Sequence, residues 1–484
     1  MTERCWYRRA CGLLLLGAAA AVTAGAQTLT TLHSFDYTDG GNPYAGLTQG
    51  TNGSLYGAAY AGGTDSAGTV FKITPAGVLT TLHDFCSQGG CLDGYLPHSA
   101  PIQATNGNLY GTTDLGGANG VGGTVYQITP IGTLTTIHSF CSQSNCADGA
   151  YPYAALVQGP DGNFYGTTNQ EGNNNNAGTV FKITPSGALT TLYTFCSQSN
   201  CTDGAYPYAA LVQGADGNFY GTTGGGGAAS VGTVFKITPH GVLTTLYSFC
   251  SQANCADGST PYAPLLQASD GNFYGTTLLG GSDISEAGTV FRITPAGALT
   301  TLYTFCSQAG CADGSSPVDG LIQATDGNLY GTTYNGGAAG DGTIFRSSLS
   351  GGLKTLYSFC STSGCPDGAN PWAALLQDTN GKFYGTTYQG GTSNAGTVFS
   401  LSVGLGSFVE TLPTSGKVGK AVKILGTNLT GATSVTFNGT AATFTVVSHS
   451  LITATVPAGA ATGTVKVTTP SGTLPSNVPF RVLP

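Results

Sequence analysis

The sequence has little charge, one methionine and only four glutamates. Charged residues make up 8% of its 484 residues, against about 25% in an average globular chain. Few strong helix formers argue against long helices, and the low charge argues against an extended polyelectrolyte tail. These absences favour an all-β, turn-dense protein.

Glycine is the residue in excess. The chain contains 76 glycines, or about one residue in six, and they follow no three-residue period, which excludes collagen. Hydrophobic residues reach 40% and aromatic residues 10%. This composition supplies enough material for a buried core and argues against overall disorder.

Long hydrophobic runs are missing after the N-terminus. Residues 1–26 combine three early arginines, an apolar run over 13–22 and an Ala-Gly-Ala site, which is typical of an export signal cleaved before Gln27. No later run approaches the roughly 18 apolar residues of a membrane span. We therefore expect a mature protein that is secreted, extracellular or at the cell surface, with the periplasm as an alternative.

Positive charge is also scarce. The formal net charge is −8, and no basic patch stands out along the chain. Nucleic acid and anionic membranes are therefore poor partners. An extracellular glycan or a surface protein fits better, whereas the oligomeric state stays open.

The mature chain holds twelve cysteines in six C-x4-C pairs. An even number in an exported chain favours disulfides within each loop, although bridges between loops, free thiols and zinc are alternatives. Zinc is disfavoured because each loop offers two thiolates and no matched histidine. The pairs are Cys86 and Cys91, Cys141 and Cys146, Cys196 and Cys201, Cys250 and Cys255, Cys306 and Cys311, and Cys360 and Cys365.

One unit recurs seven times, at intervals of 54 to 56 residues. Its LYG or FYG segment places tyrosines at Tyr56, Tyr110, Tyr165, Tyr220, Tyr274, Tyr330 and Tyr384. Each unit contains four strand-like runs, which in one copy are 153–159, 163–168, 178–184 and 189–195. Two connections are tight turns and two are long, so both long loops should share one face.

Seven units of four antiparallel strands predict a seven-bladed β-propeller over residues 27–402. The repeats begin with a fourth-type strand at 29–35 and end with a third-type strand at 396–401. Each strand type therefore occurs seven times only if the N-terminal strand completes the last blade. An open solenoid is the alternative.

The repeated segments LxQ, DGNFYGTT, GTVFKITPxGxLTTLYSF and C-x4-C-x-DG resemble the GloVer (Gloeo/Verruco) tandem-repeat family of exported bacterial proteins. This resemblance covers residues 28 to about 402. It implies a surface or secreted repeat protein with no assigned reaction.

The texture changes after residue 402. Runs at 421–425, 434–437, 443–447, 451–456 and 463–468 predict short strands of an immunoglobulin-like β-sandwich over 403–484. Segments such as PTSGKVGKAVKILGTNLTGATSVTFNG resemble IPT/TIG domains. That resemblance implies a spacer or docking role.

The search for catalytic motifs is negative. The sequence contains no H-E-x-x-H, G-x-S-x-G or P-loop, and we assign no catalytic residue, cofactor or metal. Acidic residues that break the sevenfold pattern are scattered: Glu171, Asp283, Glu286, Asp319 and Asp341. His33, His83 and His138 stand where other units have tyrosine, which favours packing over catalysis.

Each inter-unit loop also carries an Asp-Gly pair. An Asx-turn or a hydrogen bond to nearby backbone is the simpler interpretation, and a ring of carboxylates that binds calcium is the alternative. These residues are Asp39, Asp93, Asp148, Asp203, Asp257, Asp313 and Asp367.

An aromatic position follows the proline before each first strand. Six of the seven copies carry a ring at this position, and the other copy carries Val318. The six ring residues are Tyr44, His98, Tyr153, Tyr208, Tyr262 and Trp372. First strands should line the central channel, so these rings should gather at its mouth on the long-loop face. They either pack blade on blade or form a glycan-binding mouth.

The sequence therefore predicts an exported, non-enzymatic binding or adhesion scaffold. The first alternative is an extracellular lyase or hydrolase acting on a polysaccharide, and the second is a purely structural surface component. A catalytic centre would need pattern-breaking residues that converge in space.

Overall fold

The computed structural model describes residues 27–172, 176–281 and 287–483. The predicted export signal and the pattern-breaking Asp283 and Glu286 lie outside these ranges. Within them, no helix has the length and apolar character needed to cross a bilayer.

Short β-strands dominate the described residues up to 402. They form seven four-stranded antiparallel sheets, numbered 1 to 7 here in the order of their first strands. The first strands are Thr48–Gln49, Ile102–Gln103, Val157–Gln158, Val212–Gln213, Leu266–Gln267, Ile322–Gln323 and Leu376–Gln377. The second strands are Leu55–Ala59, Leu109–Thr113, Phe164–Thr168, Phe219–Thr223, Phe273–Thr277, Leu329–Thr333 and Phe383–Thr387.

The third and fourth strands complete each sheet. The third strands are Thr69–Ile73, Thr124–Ile128, Thr179–Ile183, Thr233–Ile237, Thr289–Ile293, Thr343–Ser348 and Thr397–Ser402. The fourth strands of sheets 1 to 6 are Leu79–Asp84, Leu134–Ser139, Leu189–Thr194, Leu243–Ser248, Leu299–Thr304 and Gly351–Ser358. The fourth strand of sheet 7 is the N-terminal Thr28–Ser34, which pairs antiparallel with Thr397–Ser402.

The four strand types of the unit were predicted correctly, with one difference in length. The predicted first strand over 153–159 contributes only Val157–Gln158 to the ladder, because the chain before it pairs with no neighbouring strand. Four 3-10 turns, which the sequence analysis did not predict, lie in the cysteine loops: Ser144–Cys146, Ser199–Cys201, Ala253–Cys255 and Ala309–Cys311.

Apolar side chains pack between consecutive sheets. Phe195 of sheet 3 and Phe235 of sheet 4 belong to one buried cluster, with ring centroids 5.2 Å apart. Sheets 7 and 1 share a cluster of the same kind, in which Val398 and Tyr384 join Phe35 and Phe71. The second and third strands are buried almost throughout, which explains the low charge of the repeats.

The residues after 408 form a β-sandwich. One sheet runs in the order Val409–Leu412, Ala421–Gly426, Leu451–Thr455, Phe444–Ser448, and the other in the order Thr440–Ala441, Ser434–Phe437, Val465–Thr469, Gly472–Pro475. A parallel pair, Ser415–Lys417 and Arg481–Leu483, lies beside them. Val422, Ile452, Val467 and Phe480 are among the side chains of the core.

The sandwich contacts the tight-turn side of the repeats. Thr51, Thr105 and Ala215 each come just before the Asx-Gly turn between first and second strands. Their carbonyls accept hydrogen bonds from the sandwich: from Ser450 Oγ at 3.0 Å, Lys423 Nζ at 2.9 Å and Arg481 Nη1 at 2.8 Å respectively. The long-loop side lies at the opposite ends of the strands.

Candidate ligand-binding site

A proline precedes each aromatic residue, which lies four positions before the first strand of its sheet. The proline ring fixes φ and packs against a glycine of the preceding unit. Gly178 shows why the glycine is needed: its φ is +88°, and an added Cβ would lie 2.8 Å from Pro207 Cδ and 2.2 Å from Thr168 O. This packing fixes the position of Tyr208, the residue that follows Pro207.

The seven positions after these prolines come together around one cavity. Tyr44 stacks on His98, with ring centroids 4.6 Å apart and planes 10° from parallel. The contacts continue in both directions along the units. They are His98–Tyr153 at 5.0 Å, Tyr153–Tyr208 at 5.7 Å, Tyr208–Tyr262 at 4.3 Å and Tyr44–Trp372 at 4.9 Å.

The rings therefore form a chain across six units, interrupted at Val318 in sheet 6. The cavity that they border has a volume of about 530 Å³, and the ring residues around it follow the long inter-unit loops. We call it the aromatic cup, and its rim is Tyr44, His98, Tyr153, Tyr208, Tyr262 and Trp372. These residues therefore border one cavity, while their position at the mouth of a propeller channel and their role in ligand binding stay predictions.

The wall of the cup below the rim is small and apolar. Burial alternates in the segment that precedes the first strand of sheet 1: Ala45 and Leu47 are buried while Tyr44 and Gly46 are half-buried. Further rings support the rim from behind: Tyr388 lies 4.8 Å from Tyr44. Such a volume and such a lining are typical of small-molecule sites.

Asp114 is the most unusual polar group of the cup. It follows the second strand of sheet 2, is 6% exposed, and its Oδ1 is buried without a hydrogen-bond partner. Burial raises its pKa to about 7. Burial first, and then the charge of Asp114, raise the pKa of Tyr60 and of Tyr153.

Sequence reasoning missed Asp114, although a signal was present. The residue after LYGAA, LYGTT or FYGTT differs between units: Tyr60, Asp114, Asn169, Gly224, Leu278, Tyr334 and Tyr388. A position that varies inside an otherwise constant repeat escapes the blade's own packing requirements. The structure shows that two of these residues, Tyr60 and Asp114, border the cup.

Asp319 is the second carboxyl group of the cup. It stands where the other units have alanine or serine. Its Oδ1 accepts a hydrogen bond from the N–H of Gly320, and its Oδ2 accepts one from the N–H of Ala374 in the next unit, both at 2.7 Å. Burial raises its pKa, and the two N–H groups oppose that shift.

The other pattern-breaking acids lie elsewhere. Glu171 and Asp341 are not among the residues that line the cup. Asp341 lies near Cys360 and Cys365, whose sulfur atoms bond to each other and are therefore not free thiolate ligands. Of the five departures named from the sequence, Asp319 alone borders the cup among those that the structure describes.

His98 is a rim residue without charge at neutral pH. Burial lowers its pKa to about 4. It therefore presents a flat neutral ring between Tyr44 and Tyr153.

The loop aspartates bind their own loops. Asp203 is fully buried and accepts hydrogen bonds from the Tyr193 hydroxyl, from the N–H and hydroxyl of Ser197, and from the N–H of Gln198. In three units a histidine replaces the tyrosine, as in His83 Nε2–Asp93 Oδ2 at 2.9 Å. The tyrosine and histidine at this position thus share one structural role.

All six predicted disulfides close within their own loops. Each joins cysteines five positions apart, with Cα atoms 3.9 to 4.2 Å apart. Disulfides of this number are typical of proteins outside the cytoplasm.

Solved structures with a similar fold belong to several enzymes. A putative 6-phosphogluconolactonase from Bacteroides uniformis shares 16% identity over 65% of this chain and 84% of its own, with a TM-score of 0.42. The periplasmic gluconolactonase of Pseudomonas aeruginosa shares 17% identity over 73% of this chain and 97% of its own, with a TM-score of 0.40. A puromycin hydrolase shares 13% identity over 74% of this chain and 52% of its own, with a TM-score of 0.45. These values are too low to support any inference about activity.

Family models give a firmer result. No curated protein matches the chain. The model of the Gloeobacter/Verrucomicrobia repeat matches residues 16–202, 196–323 and 307–441, and that of the IPT/TIG domain matches 407–482. The chain therefore belongs to the Gloeobacter/Verrucomicrobia repeat family and carries a C-terminal IPT/TIG domain.

Proposed function

We propose that this protein is an exported binding protein that holds a carbohydrate in the aromatic cup. One observation carries the proposal: six rings from six units border a single cavity of about 530 Å³. Flat aromatic faces stack on the apolar faces of sugar rings, and nearby polar groups bond hydroxyls. Ser99, Asp114 and Asp319 supply such groups on the same cavity.

The architecture proposed with this function is a closed seven-bladed propeller over residues 27–402. Three observations support the closure. The N-terminal strand pairs with Thr397–Ser402, sheets 7 and 1 share an apolar cluster, and Trp372 contacts Tyr44 across the same junction. A ring of this kind leaves its first strands around a central channel.

The sandwich over 403–484 is proposed as a spacer or docking module. Its contacts with the turns after Thr51, Thr105 and Ala215 lie on the side opposite the cup. In this arrangement the long-loop side stays open to a ligand while the C-terminal domain faces a partner. A location at the cell surface or in the surrounding medium fits both the predicted N-terminal export signal and the C-terminal IPT/TIG domain.

The test is binding of the purified mature protein to a panel of cell-wall and plant polysaccharides, with mass analysis of the products. The triple variant Tyr153→Ala, Tyr208→Ala, Trp372→Ala should bind at least about tenfold more weakly, since each lost stacking contact weakens binding. Tyr206→Ala is the matched control, because Tyr206 is an exposed tyrosine outside the cup. Unchanged binding by the triple variant would overturn the cup as the site.

Mass analysis also tests the enzymatic alternative. A carboxyl group with a pKa of about 7, as in Asp114, is suited to general acid catalysis, and Asp319 supplies a second carboxyl on the same cavity. Release of shortened products that stops in the variant Asp114→Asn would replace the binding role by hydrolysis or elimination. Retention without products is the expected result.

A further inference from the structure

The aromatic cup is acidic as well as aromatic. Its lining includes Asp114 from sheet 2 and Asp319 from sheet 6, and none of the described residues that line it is Lys or Arg. His98 adds no positive charge at neutral pH, because burial lowers its pKa to about 4. At neutral pH a ligand that enters the cup therefore meets a partly ionised carboxyl group, because burial raises the pKa of Asp114 to about 7, and no lysine or arginine among the described lining residues compensates its charge.

Asp114 lacks the partner that a buried carboxyl normally has. Its Oδ1 is buried and makes no hydrogen bond with the described residues, whereas both oxygens of Asp319 accept backbone N–H groups. An unpaired buried carboxyl destabilises the free protein. A group that donates a hydrogen bond and carries positive charge would remove this cost on binding.

The rings around Asp114 favour the same kind of group. Tyr60 and Tyr153 line the cup together with Asp114, and burial first and then the carboxyl charge raise the pKa of both tyrosines. The faces of Tyr and Trp rings attract cations through their negative π-face. Carboxyl and ring faces thus act together on an ammonium group, whereas they repel a carboxylate.

We propose that the aromatic cup recognises a protonated amine and that its ligand is an amino sugar of an extracellular polysaccharide. The amine lies beside Asp114, and the sugar ring stacks on the rim. The choice of a sugar as the carrier of the amine rests on the proposed function above. Recognition of the amine itself rests on the charges of the cup.

The experiment compares ligands that differ in charge. Calorimetry at neutral pH measures binding of short chitosan oligosaccharides, of N-acetylated chitin oligosaccharides of matched length, of oligogalacturonates and of the polyamine spermidine. Chitosan should bind at least about tenfold more tightly than chitin, and added salt should weaken chitosan binding. Oligogalacturonates should not bind.

The variants distinguish the role of the Asp114 carboxyl in ligand binding from its effect on folding. Asp114→Asn should weaken chitosan binding at least about tenfold and leave chitin binding unchanged. It should also raise the melting temperature of the free protein, because an unpaired carboxyl is removed. Asp65→Asn is the matched control, since Asp65 is an exposed carboxyl in a long loop outside the cup. Asp114→Ala, which also removes the carboxyl, is the second variant if Asp114→Asn fails to fold, and it should weaken chitosan binding to a similar extent.

The outcomes distinguish this inference from the proposed function. Equal binding of chitin and chitosan, unchanged in Asp114→Asn, would overturn the recognition of an amine but would leave the proposed carbohydrate binding intact. Binding of spermidine without binding of either sugar would overturn the carbohydrate and leave the amine standing. Preferential binding of oligogalacturonates would overturn the amine.

Discussion

The Tyr193 hydroxyl donates a hydrogen bond to the buried Asp203 carboxylate at 2.8 Å, across ten positions of sequence. Ser197 adds its N–H and its hydroxyl to the same oxygen, each at 2.9 Å. This network fixes the inter-unit loop that leads to Pro207 and Tyr208. The loop aspartates therefore shape the cup indirectly.

Removing this carboxylate should destabilise the protein. Asp203→Ala leaves the Tyr193 hydroxyl and the Ser197 N–H without their acceptor, so the free energy of unfolding should fall by about 1–3 kcal/mol. Denaturant unfolding measures the change. Tyr193→His is the control, since other units carry histidine at this position, as at His138 and Asp148; an equal loss in the two variants would contradict the prediction.

Each disulfide should add a modest increment of stability. Closing a loop as short as Cys250 to Cys255 is worth about 2 kcal/mol on the chain-entropy model. The double variant Cys250→Ser, Cys255→Ser should therefore unfold at lower denaturant concentration and keep its ligand binding. Unfolding of the wild type with and without reductant provides the comparison, and a double variant as stable as the oxidised wild type would refute the estimate.

The sequence reveals most of the repeat fold because the same local signals recur seven times. Alternating apolar residues, the Asp161-Gly162 turn and the C-x4-C loops each specify structure within a few residues. The six rim positions could be inferred because one proline precedes each of them. Asp114 was missed, because a variable position within the repeat does not by itself show which cavity the residue borders.

The C-terminal sandwich was predicted less completely for a related reason. Its longer strands, such as Ala421–Gly426 and Leu451–Thr455, carry a clear alternation of apolar residues. Arg481–Leu483 and Thr440–Ala441 are too short for any pattern, and they become strands only through pairing with distant segments. The hydrogen bonds from Lys423 and Arg481 to the repeats could not be predicted from the sequence, because they join segments that are far apart along the chain.

The N-terminal strand should contribute to the stability of sheet 7. Thr28–Ser34 forms six cross-strand pairs with Thr397–Ser402. Deleting residues 27–34 removes these pairs and exposes the edge of Thr397–Ser402, so the free energy of unfolding should fall by about 3 kcal/mol or more.

Thermal unfolding and size-exclusion chromatography measure the loss and any association through the open edge. A chain that starts at Gln27 is the control, because it keeps Thr28–Ser34. Identical melting temperatures for the two chains would show that the strand is dispensable.

Two carboxyl groups meet where the repeats join the sandwich. Burial raises the pKa of Asp378 from 3.8 to about 6. Burial, and then the charge of Asp378, raise the pKa of Glu410 from 4.5 to about 6. Both groups therefore bind more protons in the folded state than in the unfolded state between about pH 4 and 6.

Because unfolding releases these protons, stability should fall as the pH rises through this window. The contribution is fully present below about pH 4 and is lost above about pH 6. Glu410→Gln should flatten the decrease and raise the free energy of unfolding above pH 7 by about 1 kcal/mol, after allowance for the partial exposure of Glu410.

Thermal unfolding across a pH series tests this, with Asp161→Asn as the control. Burial opposes ionisation of Asp161, but hydrogen bonds from Lys182, Asn163 and Tyr165 outweigh it and hold its pKa at about 2. Its contribution is therefore lost only as the pH falls below about 4, the opposite direction. A wild-type protein whose stability rises between about pH 4 and 6, with Glu410→Gln following the same curve, would show that the two carboxyls at the junction do not interact as described.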